Sequence, residues 1–467
     1  MDKIKFGTDG WRAIIADTYT VTNVARVSEA TAKWTKDNFE VPSIVLGHDC
    51  RFAGEMFAHT AAKVFCAQGI KVFIAKGFVS TPMISMGAVE LNTSLGVVIT
   101  ASHNPPSYNG YKLKGSYGGP LTSDKVQEIE DMIADEVTID HASMELKTFE
   151  DQGLLEWVDL ETMYVERVKE SFDLEAIKNS GLHFAYDAMY GAGQNVLKRL
   201  LPDITFLHCE DNPSFMGQAP EPIDKNLREF SELIANSDID CGLATDGDAD
   251  RIGLYNSKGV FVDSHHIILL LTNYLHKHKG MTGKVAVAFS TTPKVNKLAE
   301  HFGLPCEVVK IGFKWICGIM ITEDVLIGGE ESGGIAVKGH IPERDGIWMG
   351  LILWEFMAKS GKTLDELIEE VYAIVGPFAY ERNDLHINET LKQEVMEKCK
   401  NGEFTSFGDY KVERVEDLDG YKFFFENDQW MMIRPSGTEP VLRTYAESDT
   451  LENARKILNA CKTTIGA

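Results

Sequence analysis

Apolar residues recur along this chain in two alternating rhythms. Val24, Val27, Ala30 and Trp34 stand three or four positions apart, which places them on one face of a helix over about 22–38. Short apolar runs separate such stretches and predict buried strands over 43–46, 71–75 and 95–99, with a helix over about 55–68 and another after the Ser80-Thr81-Pro82 loop. This alternation predicts a parallel sheet covered by helices on both faces. Past 99, two prolines and Asn109-Gly110 predict a loop.

The pattern restarts twice. A helix over 160–180, a strand over 183–186, a further helix and a strand over 241–244 form the second block. A helix over 265–278, a strand over 284–289, a helix over 294–302, the basic turn Gly312-Phe313-Lys314-Trp315 and a strand over 324–327 form the third. Beyond a hinge at Gly376-Pro377 the rhythm changes to strand-like runs over 421–425 and 429–433, a charged amphipathic helix over 383–401 and a closing helix over 451–461. The expected fold class is α/β: three similar doubly wound domains over 1–150, 151–259 and 260–375, then a smaller α+β domain over 376–467. At 467 residues the chain is too long for a single core, in keeping with several domains.

A net charge of −24 argues against nucleic acid and anionic membranes as partners. An anionic substrate would need local positive charge set against that field. None of the eight cysteines forms a C-x-x-C pair, and no apolar stretch approaches the length of a membrane span. The N-terminus lacks an apolar leader segment, so a cytoplasmic enzyme with reduced thiols is expected.

Each block sends an unusual loop off the end of a strand, the edge at which α/β sheets bind ligands. In the first, Ser102 stands between Thr100-Ala101 and His103-Asn104, with Lys112 further on; it is a candidate nucleophile or phosphate carrier, or else the polar cap of a strand end. In the second, Asp246, Asp248 and Asp250 alternate, and alternate residues of an extended chain point the same way. Three hard oxygen donors on one side suit Mg²⁺. An EF-hand is excluded, because Arg251 and Ser257 stand where that loop needs Gly and Glu. The alternative is an acidic surface turn, whose like charges would repel without a cation. In the third, Glu330 and Ser332 lie between glycine pairs and offer donors and acceptors to sugar hydroxyls, if the segment is more than a glycine-rich turn. In the last, Arg434-Pro435-Ser436-Gly437-Thr438 holds the parts of a phosphate cradle, with Arg443 as a second cation. Arg12, just past the Gly7–Gly10 turn, is a candidate anion-facing guanidinium. A serine, a divalent-metal loop, a hydroxyl-reading loop and scattered cations are what phosphoryl transfer to or from a sugar phosphate requires.

Five motifs, FGTDGWR at 6–12, TASHNP at 100–105, DGDADR at 246–251, GEESGG at 329–334 and RPSGTEP at 434–440, stand in the order found in the α-D-phosphohexomutase superfamily. The chain resembles most the bacterial phosphoglucomutase/phosphomannomutase group. That resemblance implies four domains around a central cleft, the fourth mobile. It implies that Ser102 carries a phosphoryl group, and that Asp246, Asp248, Asp250 and an oxygen of the phosphoserine hold Mg²⁺. Glu330 and Ser332 would bind sugar hydroxyls. Arg434, Ser436, Gly437 and Thr438 would hold the non-reacting phosphate, with Arg443 nearby. Arg12, Lys112 and Arg251 would surround the reacting end, with Lys314 and His340 as further substrate contacts. Lys112 is the expected general base, its pKa depressed by crowding with Arg12 and the metal. A hexose 1,6-bisphosphate would be the intermediate and the activator, and a sugar phosphate the partner of a monomer or homodimer.

Two departures from the family pattern stand out: Gly334 where some dual-specificity members carry His, and Arg344 where many carry Lys. The GEESGG loop is closest to glucose-preferring members, so phosphoglucomutase activity is expected, with mannose phosphate as a weaker substrate. Phosphomannomutase or dual activity, a bisphosphate synthase, and a sugar-phosphate binding protein without turnover are the alternatives.

Overall fold

The computed structural model describes residues 3–435 and 441–467. The first sheet has six strands in the order Trp11–Ile14, Tyr108–Gly115, Leu95–Ile99, Ser43–His48, Lys71–Ala75, Leu155–Val158. Its last four strands pair in parallel, as the alternation predicts. The other two do not: Tyr108–Gly115 turns back antiparallel on Leu95–Ile99, and Trp11–Ile14 adds antiparallel to it. The sheet is therefore mixed rather than parallel. It also runs past the expected boundary at 150, taking Leu155–Val158 as its edge strand.

Asn109-Gly110, read as loop, lies inside the returning strand. Glycine is needed there for close approach rather than for a turn, since a Cβ on Gly110 would lie 2.4 Å from Thr100 O and 2.7 Å from Trp11 O. Ser80-Thr81-Pro82 is a helix start: Ser80 Oγ accepts the Met83 N–H, and proline is tolerated in a first turn whose N–H groups have no helical partner.

The same plan recurs twice. In the second sheet Cys241–Thr245 pairs parallel with Phe184–Asp187 and is followed by the antiparallel Ile252–Asn256. In the third, Val325–Gly329 pairs parallel with Lys284–Ala288 and is followed by the antiparallel Ile335–Val337. The helix predicted over 160–180 is broken in two, Leu160–Ser171 and Leu174–Lys178, with Asp173 capping the second. Gly312-Phe313-Lys314-Trp315 is no turn but the start of a helix, Phe313–Met320.

One apolar core runs from Val45 and Ile84 of the first block through Leu243 and Leu254 to Ile327 of the third. The long helix Gly346–Ser360, capped by Asp345 and buried from Gly346 to Met357, passes through it. The first three blocks are thus joined by shared apolar packing, which fixes how their loops meet.

The last sheet is antiparallel, in the order Ala379–His386, Val441–Ser448, Trp430–Pro435, Tyr421–Phe424, Arg414–Glu416. Residues 383–386, expected to be helical, belong to its first strand, and the helix is confined to Glu389–Lys400 behind the cap of Asn388. This unit meets the third block through buried Lys422, whose Nζ donates to Phe289 O (3.2 Å) and Thr291 O (2.9 Å). Asp419 adds a contact by accepting the Ile311 N–H at 2.9 Å.

Candidate active site

Three antiparallel turnbacks deliver the motif loops to one place. Ser102 follows the strand Leu95–Ile99, the aspartates follow Cys241–Thr245, and Glu330 follows Val325–Gly329. Ser102 Oγ donates to Asp246 Oδ2 at 2.7 Å, across the boundary between the first two blocks. The approach needs Gly247, where a Cβ would come within 2.5 Å of Ser102 O. Asp246 is tied back by the Asp250 and Arg251 N–H groups (3.0 and 3.1 Å). Arg251 also forms a β-bridge with Gly334, joining the aspartate loop to the glycine-rich loop.

Asp246, Asp248 and Asp250 are buried, with one carboxylate oxygen of each within 4.8 Å of the others. Burial and the two neighbouring carboxylates push the Asp246 carboxyl well above its usual range. Asp248 Oδ1 and Asp250 Oδ1 are buried with no hydrogen-bond partner. Three buried carboxylates that each bring an oxygen within 4.8 Å of the others, two of them with an oxygen left without a hydrogen-bond partner, are a donor set that suits a hard divalent cation, so this triad can hold a metal.

Lys112 lies on the strand Tyr108–Gly115 with its side chain fully buried. Its ammonium meets Asp248 at 2.7 Å, Asp9 at 2.9 Å and Asp250 at 3.0 Å. Burial disfavours the charge, but the three carboxylates outweigh it and raise the pKa above that of an ordinary lysine. The expected depression counts a bound metal and Arg12 as its cause; in the chain itself the groups in contact with this ammonium are carboxylates. Arg12 donates to Asn104 Oδ1 at 2.6 Å beside the serine loop. His103, its imidazole kept neutral by burial and nearby Arg251, lies 3.3 Å from Ser102 Oγ.

Glu330 is buried and accepts the Gly312 N–H at 2.9 Å; burial pushes its carboxyl up to about 7. Ser332 is half-buried on the same turn. Lys314 stands at the first turn of the helix Phe313–Met320 and lines a cavity with Thr8, Asp9 and Glu130. Arg434 and Arg443 face each other across paired strands, with Arg434 Nε 3.2 Å from Asp419 and Arg443 Nε 4.0 Å from Asp384. Ser436, Gly437 and Thr438 lie outside the described residues.

His340 is placed elsewhere. Its side chain is buried, its Nε2 lies 2.9 Å from Asp345 and its ring stacks on Trp348 at 3.7 Å. It is a core histidine orienting the cap of the helix Gly346–Ser360, because Asp345 binds both it and the Trp348 N–H.

Five residues outside the sequence-derived set belong to this cluster. Asp9 joins Lys112 to Arg344, whose Nη2 reaches Asp9 at 2.5 Å and Asp250 at 2.8 Å. Thr81 donates to Asp248 Oδ2 at 2.5 Å. Lys114 pairs with buried Glu343 at 2.6 Å. Asp9 sits in the FGTDGWR motif and Thr81 in the Ser80-Thr81-Pro82 loop, whereas Lys114 lies on a strand that the apolar pattern does not show, so only the fold reveals their partners.

Family models for the phosphoglucomutase/phosphomannomutase α/β/α domains I, II and III match residues 3–139, 162–259 and 263–375, and the model for the C-terminal domain matches 391–462. The chain is 30% identical over 459 residues to a phosphoglucomutase/phosphomannomutase of Thermococcus kodakarensis, covering 97% of this chain and 96% of that one. It is 30% identical over 457 residues to a phosphoglucosamine mutase of Limosilactobacillus reuteri, covering 96% and 94%. A crystal structure of a protein assigned as a phosphomannomutase, from Thermus thermophilus, superposes with a TM-score of 0.88 at 32% identity and full coverage of both chains. Among the described residues, no helix is long and apolar enough to cross a membrane. With all four domain models matched in order along nearly the whole chain, this protein belongs to the phosphoglucomutase/phosphomannomutase family of phosphohexomutases, which are intramolecular phosphotransferases.

Proposed function

We propose that this phosphohexomutase interconverts α-D-glucose 1-phosphate and glucose 6-phosphate, with Ser102 as phosphoryl carrier. The observation that carries the carrier role is the contact of Ser102 Oγ with Asp246, beside buried carboxylates and the cations Arg12, Lys112, Arg251 and Arg344. Phosphorylated Ser102 donates to the free hydroxyl of the hexose phosphate. The bisphosphate so formed turns over and returns its other phosphoryl group to Ser102. Asp246, Asp248 and Asp250, with a phosphoserine oxygen, would hold Mg²⁺, which when bound supplies Lewis-acid charge at the serine oxygen. As the Ser102 O–P bond breaks, the attacking hydroxyl's proton must pass to a base, and Lys112, fully buried beside Asp248, Asp9 and Asp250, is the candidate for that role in its uncharged form. Arg434, Ser436, Gly437, Thr438 and Arg443 would hold the other phosphate, and Glu330 and Ser332 the sugar hydroxyls.

Glucose is favoured over an amino sugar by the resemblance of the GEESGG loop at 329–334 to that of glucose-preferring members. The test is a panel of kcat/KM values on the 1-phosphates of glucose, mannose, glucosamine, N-acetylglucosamine and ribose, with Mg²⁺ and a trace of hexose bisphosphate. A maximum on glucose is expected, and a maximum on mannose or glucosamine refutes the substrate reading. Ser102→Ala is expected to fold and lose turnover. Absence of turnover on the whole panel leaves a sugar-phosphate binding protein as the reading.

A further inference from the structure

Arg51 takes no part in the scheme above, yet it is bound to the loop that carries Ser102 more fully than any residue of that scheme. It lies in the turn between the strand Ser43–His48 and the helix Gly54–Ala67 and is 3% exposed. Its guanidinium donates four hydrogen bonds, all to main-chain carbonyls of one segment. Nη2 reaches Ser102 O and Asn104 O, both at 2.6 Å. Nη1 reaches Pro105 O at 2.9 Å and Tyr108 O at 3.1 Å. The face of the guanidinium lies 5.0 Å from the Phe215 ring of the second block.

Asp49 holds this arrangement from beneath. Its Oδ1 accepts the Arg51 N–H at 2.9 Å, and its Oδ2 lies 3.3 Å from Arg51 Nε. Oδ2 also accepts the Thr100 hydroxyl at 2.5 Å, and Thr100 Oγ1 in turn accepts the Ser102 N–H at 2.9 Å. Both main-chain polar groups of Ser102 are therefore committed to one buried unit of Asp49, Arg51 and Thr100. Ser102 itself has φ of +51°, in the left-handed region that residues with side chains seldom occupy. Such a conformation persists only where the surroundings over-determine it. A planar guanidinium can direct four N–H groups at four carbonyls; a lysine ammonium, with three donors and no fixed plane, cannot.

We propose that Arg51, oriented by Asp49, is a positioning residue that with Thr100 holds Ser102 in its left-handed conformation and aims Oγ at the reacting phosphoryl group. The inference rests on Ser102 being the phosphoryl carrier. A misaimed Oγ lowers the rate of transfer without weakening the sugar and phosphate contacts, which are made by other loops. Displacements of about 1 Å cost on the order of 100-fold in rate.

The test compares Arg51→Lys, Arg51→Ala, Thr100→Val and Thr100→Ser with the unaltered protein, by steady-state kinetics on the best sugar of the panel and by hydrogen exchange across residues 100–108. Arg51→Lys is expected to lower kcat about 100-fold and leave KM within about threefold. Amide exchange is expected to quicken in 100–108 and to stay unchanged in the helix Gly54–Ala67. Added guanidinium ion is expected to restore part of the kcat of Arg51→Ala, and Thr100→Ser to recover most of what Thr100→Val loses. A kcat of Arg51→Lys within about threefold of the unaltered protein overturns the proposal. So does a matched loss of kcat, KM and melting temperature with exchange rising over the whole block, which is the signature of a purely structural arginine. If Arg51→Ala does not fold, Arg51→Lys and the Thr100 pair decide. Ser102→Ala runs alongside: retained turnover there sinks the carrier reading, while the exchange data still decide whether Arg51 clamps the loop.

Discussion

Replacing Lys112 by methionine tests the charge logic of the site. The side chain is fully buried and its ammonium faces Asp248, Asp9 and Asp250 at 2.7, 2.9 and 3.0 Å. Methionine fills a similar volume but leaves those carboxylates with Arg344, in contact with Asp9 and Asp250, and Lys114, 3.7 Å from Asp9, as neighbouring cations. Removing one partner of a buried ion pair costs about 3–5 kcal/mol. Uptake of a proton by one carboxylate moderates that figure. For a unit of 150–250 residues each kcal/mol moves the midpoint by about 2–4 °C, so the first thermal transition in EDTA is expected to fall by about 6–20 °C. A divalent cation can replace the lost charge: at 100 times its Kd it adds about 2.7 kcal/mol to either protein, and more to the variant if it binds tighter there. Scanning fluorimetry in EDTA and in Mg²⁺, with activity measured in parallel, reads this directly. Turnover should be lost, and the gap in melting temperature should narrow by about half or more in Mg²⁺. An unchanged midpoint in EDTA, or a gap that Mg²⁺ leaves intact, refutes the reasoning.

Three further outcomes follow from particular contacts. Buried His265 accepts the Thr292 N–H at 3.1 Å, and burial lowers its pKa to about 4. The unfolded chain takes up that proton below about pH 6.5 while the folded one does not, so this residue removes about 2 kcal/mol of stability between pH 7.5 and pH 5; His265→Gln should flatten the urea-measured profile over that window, and an unaltered slope argues against it. Gly110→Ala should destabilise the first block by about 1–3 kcal/mol or more, because two backbone oxygens already stand within 2.7 Å of the new Cβ; wild-type melting refutes that. His340→Ala should lower stability by about 2–3 kcal/mol through the lost Asp345 bond and Trp348 stacking yet leave KM unchanged, and a large rise in KM would restore it as a substrate contact.

Read alone, the sequence settles what is local. The three- and four-residue spacing of Val24, Val27, Ala30 and Trp34 matches the buried face of Val21–Asn38, and the apolar runs at 71–75 and 95–99 are strands with those bounds. A pattern of burial is written residue by residue, so periodicity exposes it. Asp246, Asp248 and Asp250 do come together, but on a turn in which the Ala249 N–H donates to Asp246 O and Ala249 has φ of +56°, not on the extended backbone that their alternation suggested. Strand direction is not local: Asn109-Gly110 has the composition of a turn, but the carbonyls of Thr100 and Trp11 close on Gly110 from two neighbouring strands and make it part of one. Nor is the charge state of Lys112 local, since it depends on Asp9, 103 positions earlier, and on Asp248 and Asp250, 136 and 138 positions later. His340 is a substrate contact only by the family resemblance, and its burial shows only when Trp348 and Asp345 pack against it. Arg51 reveals four carbonyl partners only once the turn after Ser43–His48 lies beneath the serine loop. Residue type and spacing determine which groups a chain can offer; their protonation, direction and partners depend on which distant segments the shared core brings within about 3 Å, where electrostatic and hydrogen-bond energies are decided.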